Sequence, residues 1–338
     1  MTAAVVIAVD AMSGDHGPVV TVPAALTALE RHSQLEILLV GQPDVLHEHL
    51  DDLPARMQIV AATEVVAMDE PPAQALRGKR DSSMRNALEL VRDGRAQACV
   101  SAGNTGALVA KSRYLLKMVD GIDRPAIASA LPARGGKTCM LDLGANSDCS
   151  AQNLLQFAIM GSGLAQGVFG VEQPTVALLN IGSESIKGTS QIREADQLLR
   201  QTGLNYLGYI EGDGIMAGTA NVVVTDGFTG NVALKTMEGA CRELLSIVRE
   251  EVQRGPLQRA LSGLLGSGHS GLSRRFDPRR YNGASLLGLR GSVVKSHGGA
   301  DELAFGYAID EAILEAGGDL PQRIAQCVSQ AAVTREAV

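Results

Sequence analysis

Six short clusters combine glycine with side chains that donate protons, hydrogen bonds or charge: Asp10 to His16, Ser101 to Gly106, Asp142 to Asn146, Asn180 to Glu184, Asp226 to Asn231 and Ser296 to Gly299. Together they hold amides (Asn104, Asn146, Asn180, Asn231), carboxylates (Asp10, Asp15, Asp226), an imidazole (His297) and the glycines Gly14, Gly103, Gly106 and Gly230. Lys187, Gly188 and Thr189 follow the fourth cluster, and Thr105 stands inside the second. This inventory suits an oxyanion. Unpaired amides at glycine-framed helix starts converge on phosphate, the helix dipole favours negative charge, and Lys187 adds a full cation. There is no metal cage and no redox handle. Any one cluster is also ordinary turn chemistry; it is the convergence of six that points to a site.

The elements that must position them alternate. Apolar runs at Ala4 to Val9, Leu35 to Val40, Met57 to Ala61, Ala98 to Ser101, Cys139 to Leu143, Val176 to Ile181 and Val222 to Thr225 read as strands. Helical patterns at Ser82 to Val91, Asn153 to Gly161 and Ser190 to Arg200 are long enough to be crossovers. The expected fold is α/β, a mainly parallel βαβ sheet with helices on both faces, either one large domain over residues 1–338 or two lobes. Nearly every predicted strand ends in one of the clusters, so all six are expected to open onto one crevice at the carboxyl ends.

Composition removes several classes. Of 338 residues 45% are hydrophobic, only 3% are aromatic, and the net charge is −7, so there is no stacking or basic footprint for nucleic acid. No apolar run approaches a bilayer span, and the N-terminus lacks a basic secretory leader, so a cytoplasmic protein is expected. Five widely spaced Cys without a CxxC pair read as free thiols. Two nucleotide-like motifs fail their contexts. Gly266 to Gly271 matches GxGxxG but follows a leucine-rich helical pattern, and Gly136-Lys137-Thr138 lacks the first P-loop glycine and leads into a strand. Gly161-Ser162-Gly163 is expected to be helix termination or close packing, and Cys149 an inert small hydrophobe.

One stretch breaks the charge pattern. Arg242 to Arg290 holds nine Arg and no Lys against four acids, a net of +5 that leaves −12 for the rest of the chain. Pro256 can open a helix on which Leu257, Leu261, Leu264 and Leu265 share a face, with Arg274 and Arg275 close by. A helical insertion near 240–282, with residues 242–282 contacting a membrane or a partner, is expected alongside the alternative of a plain packed helix.

The blocks Val9 to His16, Ser101 to Leu108 (SAGNTGAL), Leu141 to Asn146 (LDLGAN), Gln156 to Gly161, Leu178 to Gly188 (LLNIGSESIKG), Val222 to Gly239 (VVVTDGFTGNVALKTMEG) and Gly283 to Gly299 closely resemble the PlsX family, phosphate acyltransferases of bacterial phospholipid synthesis. The match is collinear over essentially the whole chain; Ser13 departs from it, standing where that family usually carries a second Gly. The resemblance implies transfer of a fatty acyl group from acyl carrier protein to inorganic phosphate, without a cofactor. It also implies a homodimer in peripheral contact with the inner membrane, and a fold like isocitrate and isopropylmalate dehydrogenases. Under that chemistry Lys187 with the Asn104-Thr105 helix start is expected to hold phosphate, Asn231 or His297 to donate to the oxyanion, and Asp226 to orient or deprotonate. Asp10 and Asn180 are supporting residues. A nicotinamide-dependent dehydrogenase and a non-catalytic binding protein for carrier or lipid are the competing readings.

Overall fold

In the computed structural model, which describes residues 4–253 and 277–336, the strands are β1 (Val5–Asp10), β2 (Leu35–Gly41), β3 (Met57–Ala61), β4 (Ala98–Ser101), β5 (Ala126–Ala133), β6 (Gly136–Leu141), β7 (Thr175–Leu179), β8 (Asn205–Ile210), β9 (Val222–Val224), β10 (Ala284–Leu287) and β11 (Ser292–Lys295). The helices are α1 (Pro18–Arg31), α2 (Pro43–His47), α3 (Pro72–Gly78), α4 (Ser83–Arg92), α5 (Thr105–Leu116), α6 (Ala151–Gly167), α7 (Ser190–Leu199), α8 (Gly212–Ala217), α9 (Gly227–Gln253), α10 (Glu302–Gly317) and α11 (Leu320–Glu336). Leu257, Leu261, Leu264, Leu265, Arg274, Arg275 and the Gly266 to Gly271 motif lie outside the described residues.

All the described strands join one sheet, ordered β3-β2-β1-β4-β11-β10-β5-β6-β9-β7-β8. The α/β fold with a mostly parallel sheet is therefore as expected. Strands alternate their side chains between two covered faces. Ile7 and Val9 of β1 pack with Val22, Leu29, Phe305 and Ile309 of α1 and α10, while Ala8 joins Met84, Leu88 and Leu108 of α4 and α5 on the other side. Phe305 and Phe157 are wholly buried, each contributing about 2–3 kcal/mol through burial alone. Gly161 lies within α6 with no room for a side chain against Val222 and Leu141, so it is close packing and not helix termination.

Sheet direction corrects one expectation. Strands β3, β2, β1, β4 and β11 run parallel, as do β6, β9, β7 and β8, but the joins β11–β10, β10–β5 and β5–β6 are antiparallel. Three reversals leave the two parallel blocks pointing in opposite senses. The loops after β1, β4 and β11 thus leave one edge of the sheet, and those after β6, β7 and β9 the other. One edge cannot gather all six clusters. The strands that carry the reversal, β5, β10 and β11, are missed by the sequence reading, as is β8 at the sheet's edge: Pro132 interrupts β5, and β10 and β11 are four residues long.

Candidate active site

What brings the two edges together is α9. It begins where β9 ends, with Asp226 as its cap: Oδ1 accepts from the Thr229 amide at 2.8 Å and Oδ2 from the Thr229 hydroxyl at 2.7 Å. Its first turn lies on the loop after β6, where Gly227 and Gly230 leave no room for a Cβ against Asn146 and the Asp142 carbonyl. That loop winds around the fully buried Asp142 carboxylate, whose Oδ1 accepts from the amides of Ile127 (2.9 Å), Gly144 (3.2 Å) and Ala145 (3.0 Å). Oδ2 accepts from the Asn146 backbone (2.8 Å) and side chain (2.9 Å). One turn into the helix, Asn231 faces Gly144, and a further turn places the Lys235 ammonium 3.4 Å from His297 Nε2, at the far edge of the sheet.

Between α9 and the central strands lies a cavity of about 560 Å³, floored by the alternate β5 residues Ile127, Ser129 and Leu131. Its rim takes Thr105, Gly144, Asn231, and Ser296, His297 and Gly299, so four of the six clusters contribute. His297 is held by its backbone, which donates to Asn282 Oδ1 at 2.9 Å, and its Nδ1 accepts from the Gly299 amide at 3.2 Å. Burial and the nearby Lys235 hold its imidazole below the usual value, so the ring is neutral near pH 7. With Nδ1 accepting, the proton resides on Nε2, the atom that faces Lys235. Lys295 joins the lining, half-buried, with its Nζ donating to the carbonyls of Ala102 (3.3 Å) and Ser296. Burial draws that amine down to about 8.

The remaining expected residues serve differently. Asn104 caps α5 by accepting from the Ala107 amide, and its Nδ2 donates to the carbonyls of Met68 and Glu70. Asn146 Nδ2 is committed to Pro125 O and Asp142, and Asp226 to capping α9. Gly103 packs on Met84 and Gly106 on Pro72. Asp10, 1% exposed, lies behind the cavity; Gly14, at φ 86°, turns Asp15 so that its amide donates to Gly298 O at 2.9 Å. Asn180 packs beneath Gly188, and neither they nor Lys187 lines the cavity: the loop after β7 leaves the same edge as the loop after β6 and the start of α9, but it folds on itself, Lys187 against Gly182. The structure of one chain therefore does not bring Lys187 to Asn231 and His297. Burial raises the Cys149 thiol to about 11.

Ser13 does not face the cavity. Its hydroxyl donates to Asp10 O at 2.7 Å and accepts from the Ala102 amide at 2.9 Å, tying the loop after β1 to the loop after β4. Changing Ser13→Gly is expected to cost about 1–2 kcal/mol in urea unfolding, since both bonds are buried; an unchanged midpoint would show that the tie contributes nothing. Sequence reasoning missed Lys235, Lys295, Asn282 and the anchoring role of Asp142. Lys235 was signalled by its place one turn beyond Asn231, and Lys295 by ending an apolar run just before Ser296-His297.

Comparison with solved structures gives the class of fold: a phosphotransacetylase from Streptococcus pyogenes superposes with a TM-score of 0.61 at 20% identity, over 96% of this chain and 94% of that one. Among sequences, a phosphate acyltransferase from Alkalilimnicola ehrlichii is 54% identical, covering 99% of both chains. Another from Halorhodospira halophila is 55% identical over 96% of both. The model of the fatty acid synthesis protein family matches residues 5–323, and the chain belongs to that family. It is an acyltransferase.

Proposed function

We propose that the cavity transfers a fatty acyl group from acyl carrier protein to inorganic phosphate, giving acyl phosphate for phosphatidic acid synthesis. One observation carries the reading. With Nδ1 taken up by the Gly299 amide, Lys235 Nζ and His297 Nε2 stand 3.4 Å apart as two donors, an arrangement that one anionic oxygen beside the pair, accepting from both, would satisfy. Glu238, 3.3 Å from Lys235, offsets only part of the charge. Phosphate is itself the nucleophile, so the protein needs to position it against the thioester and stabilise the oxyanion that forms. Neutral His297 and Asn231 supply donors for that oxyanion, and Leu131, Met216, Leu234 and Met237 offer an apolar wall for the acyl chain.

The wider reading follows the resemblance: one domain over residues 1–338, a dehydrogenase-like arrangement in keeping with the two opposed parallel blocks, and a homodimer. The Arg-rich 242–282 subregion would dock the acidic carrier or touch the inner membrane, making the chain cytoplasmic and peripherally attached. Among the described residues no helix is long and apolar enough to cross a membrane.

The test is thioester loss from acyl-carrier protein with and without inorganic phosphate, with acyl-CoA as competing donor. Loss that requires phosphate and yields acyl phosphate is expected; loss independent of phosphate, or none, would overturn the proposal. Lys187 is assayed alongside. A raised phosphate KM in Lys187→Ala places it on phosphate, and unchanged kinetics removes it.

A further inference from the structure

Three polar residues stand side by side across adjacent parallel strands. Lys295 of β11 pairs in register with Ser101 of β4, and Val9 pairs with Val100, which sets Asp10 beside Ser101. In-register neighbours share a face, here the face that also carries Ile127 and Leu131 of the cavity floor. Ser101 Oγ donates to Asp10 Oδ2 at 2.6 Å, and the other Asp10 oxygen is buried without a hydrogen-bond partner. A carboxylate so enclosed cannot touch phosphate. Its outlet is the row itself, which reaches the cavity at Lys295. The Lys295 nitrogen has four tetrahedral positions: one is bonded to its own chain, and the carbonyls of Ala102 and Ser296 engage two more. One position is left for the cavity, a lone pair in the amine and a proton in the ammonium.

We propose that Lys295 is a catalytic residue that carries the reaction's proton, and that Asp10, acting through Ser101, is the positioning residue that sets its charge. This rests on the function proposed above. As hydrogen phosphate attacks, the new O–C bond forms and its hydroxyl proton passes to Nζ; as the C–S bond breaks, Nζ returns that proton to the departing thiolate. The products are acyl phosphate and thiol, and no further reactant is required. The amine, drawn down to about 8, lies close to an ordinary thiol at about 8.5, so transfer in either direction meets little opposing driving force. The charges facing Lys295 are Asp10 and Asp15, which favour the ammonium, and Lys235 on α9, which opposes it. His297 is the adjacent titratable ring.

The experiment is the pH profile of kcat for phosphate-dependent acyl-phosphate formation by the full chain. The wild-type rate should rise with pH as the amine is freed, with a midpoint near 8. Asp10→Asn removes a negative charge that favours the ammonium, so the midpoint should fall by about one pH unit. Ser101→Ala, which keeps every charge, should move it in the same direction by less and serves if Asp10→Asn fails to fold. Lys295→Arg cannot deprotonate. It should abolish the limb and lower kcat by at least about 100-fold while the phosphate KM stays within about fivefold. An unmoved midpoint in folded Asp10→Asn and Ser101→Ala, or more than a tenth of kcat in Lys295→Arg, would overturn the inference. A wild-type chain without phosphate-dependent thioester loss would instead overturn the function on which it rests.

Discussion

His297→Ala and Asn231→Ala are each expected to lower kcat/KM for acyl transfer by about 10²–10³, because one well-placed donor to a developing oxyanion is worth about 3–4 kcal/mol. The two losses should differ in kind. His297 faces Lys235 across 3.4 Å, and under the proposed function the two would hold the phosphate together, so its removal should raise the phosphate KM as well as lower kcat. Asn231 faces Gly144 on the other wall and should act chiefly on kcat. The pH dependence has a definite sign. Burial and Lys235 hold the imidazole below its usual value, so it stays neutral through pH 7 and gains its proton only on acidification. Protonation puts a hydrogen on Nδ1, which then faces the Gly299 amide as donor against donor. On the acid side of the Lys295 limb, activity should therefore fall more steeply below about 6.5, and His297→Gln, which keeps a donor but does not titrate, should lack that added steepness. Full activity in both alanine variants would remove the pair from the chemistry.

Much of this arrangement was legible in the residues and some of it was not, for physical reasons. Strands buried on both faces announce themselves as β-branched runs, which is why β1, β2, β4, β7 and β9 were visible. Sheet direction leaves no such mark. Whether β6 runs with β4 or against it depends on β11, β10 and β5 between them, two of which are four-residue runs that resemble any loop, while Pro132 breaks the pattern of the third. The site suffers the same blindness. Asn231 and His297 could be named because glycine and amide clusters mark strand ends, but only the path of α9 across the reversal makes them neighbours. Lys187 has the right chemistry beside the right kind of loop and shares its edge with the start of α9, but it stands one strand further out, on a loop that folds on itself against Gly182. Lys295 shows the converse, a cation hidden at the end of an apolar strand, whose use appears only when register sets it beside Ser101.

Asp142→Ala is expected to be the most destabilising single change near the site. The carboxylate accepts from four backbone amides and the Asn146 side chain, all of which lose their acceptor at once. A buried donor without a partner costs about 1–3 kcal/mol. Even if water or rearrangement recovers half of the bonds, a net loss of about 4 kcal/mol or more remains, a large share of the roughly 5–15 kcal/mol that holds a domain together. Asp142→Asn separates charge from geometry. Its remaining oxygen can keep the amides of Ile127, Gly144 and Ala145, while its NH2 is turned on the Asn146 donors, so its loss should be about half that of the alanine variant. Urea unfolding should rank wild type above Asn and Asn above Ala. Where the Asn protein still folds, kcat should fall with stability, because the same loop seats Gly227 and Gly230 and so sets the angle at which α9 carries Asn231 and Lys235 across the sheet. An alanine variant that unfolds with the wild-type midpoint would mean that some other contact anchors the loop and directs the helix.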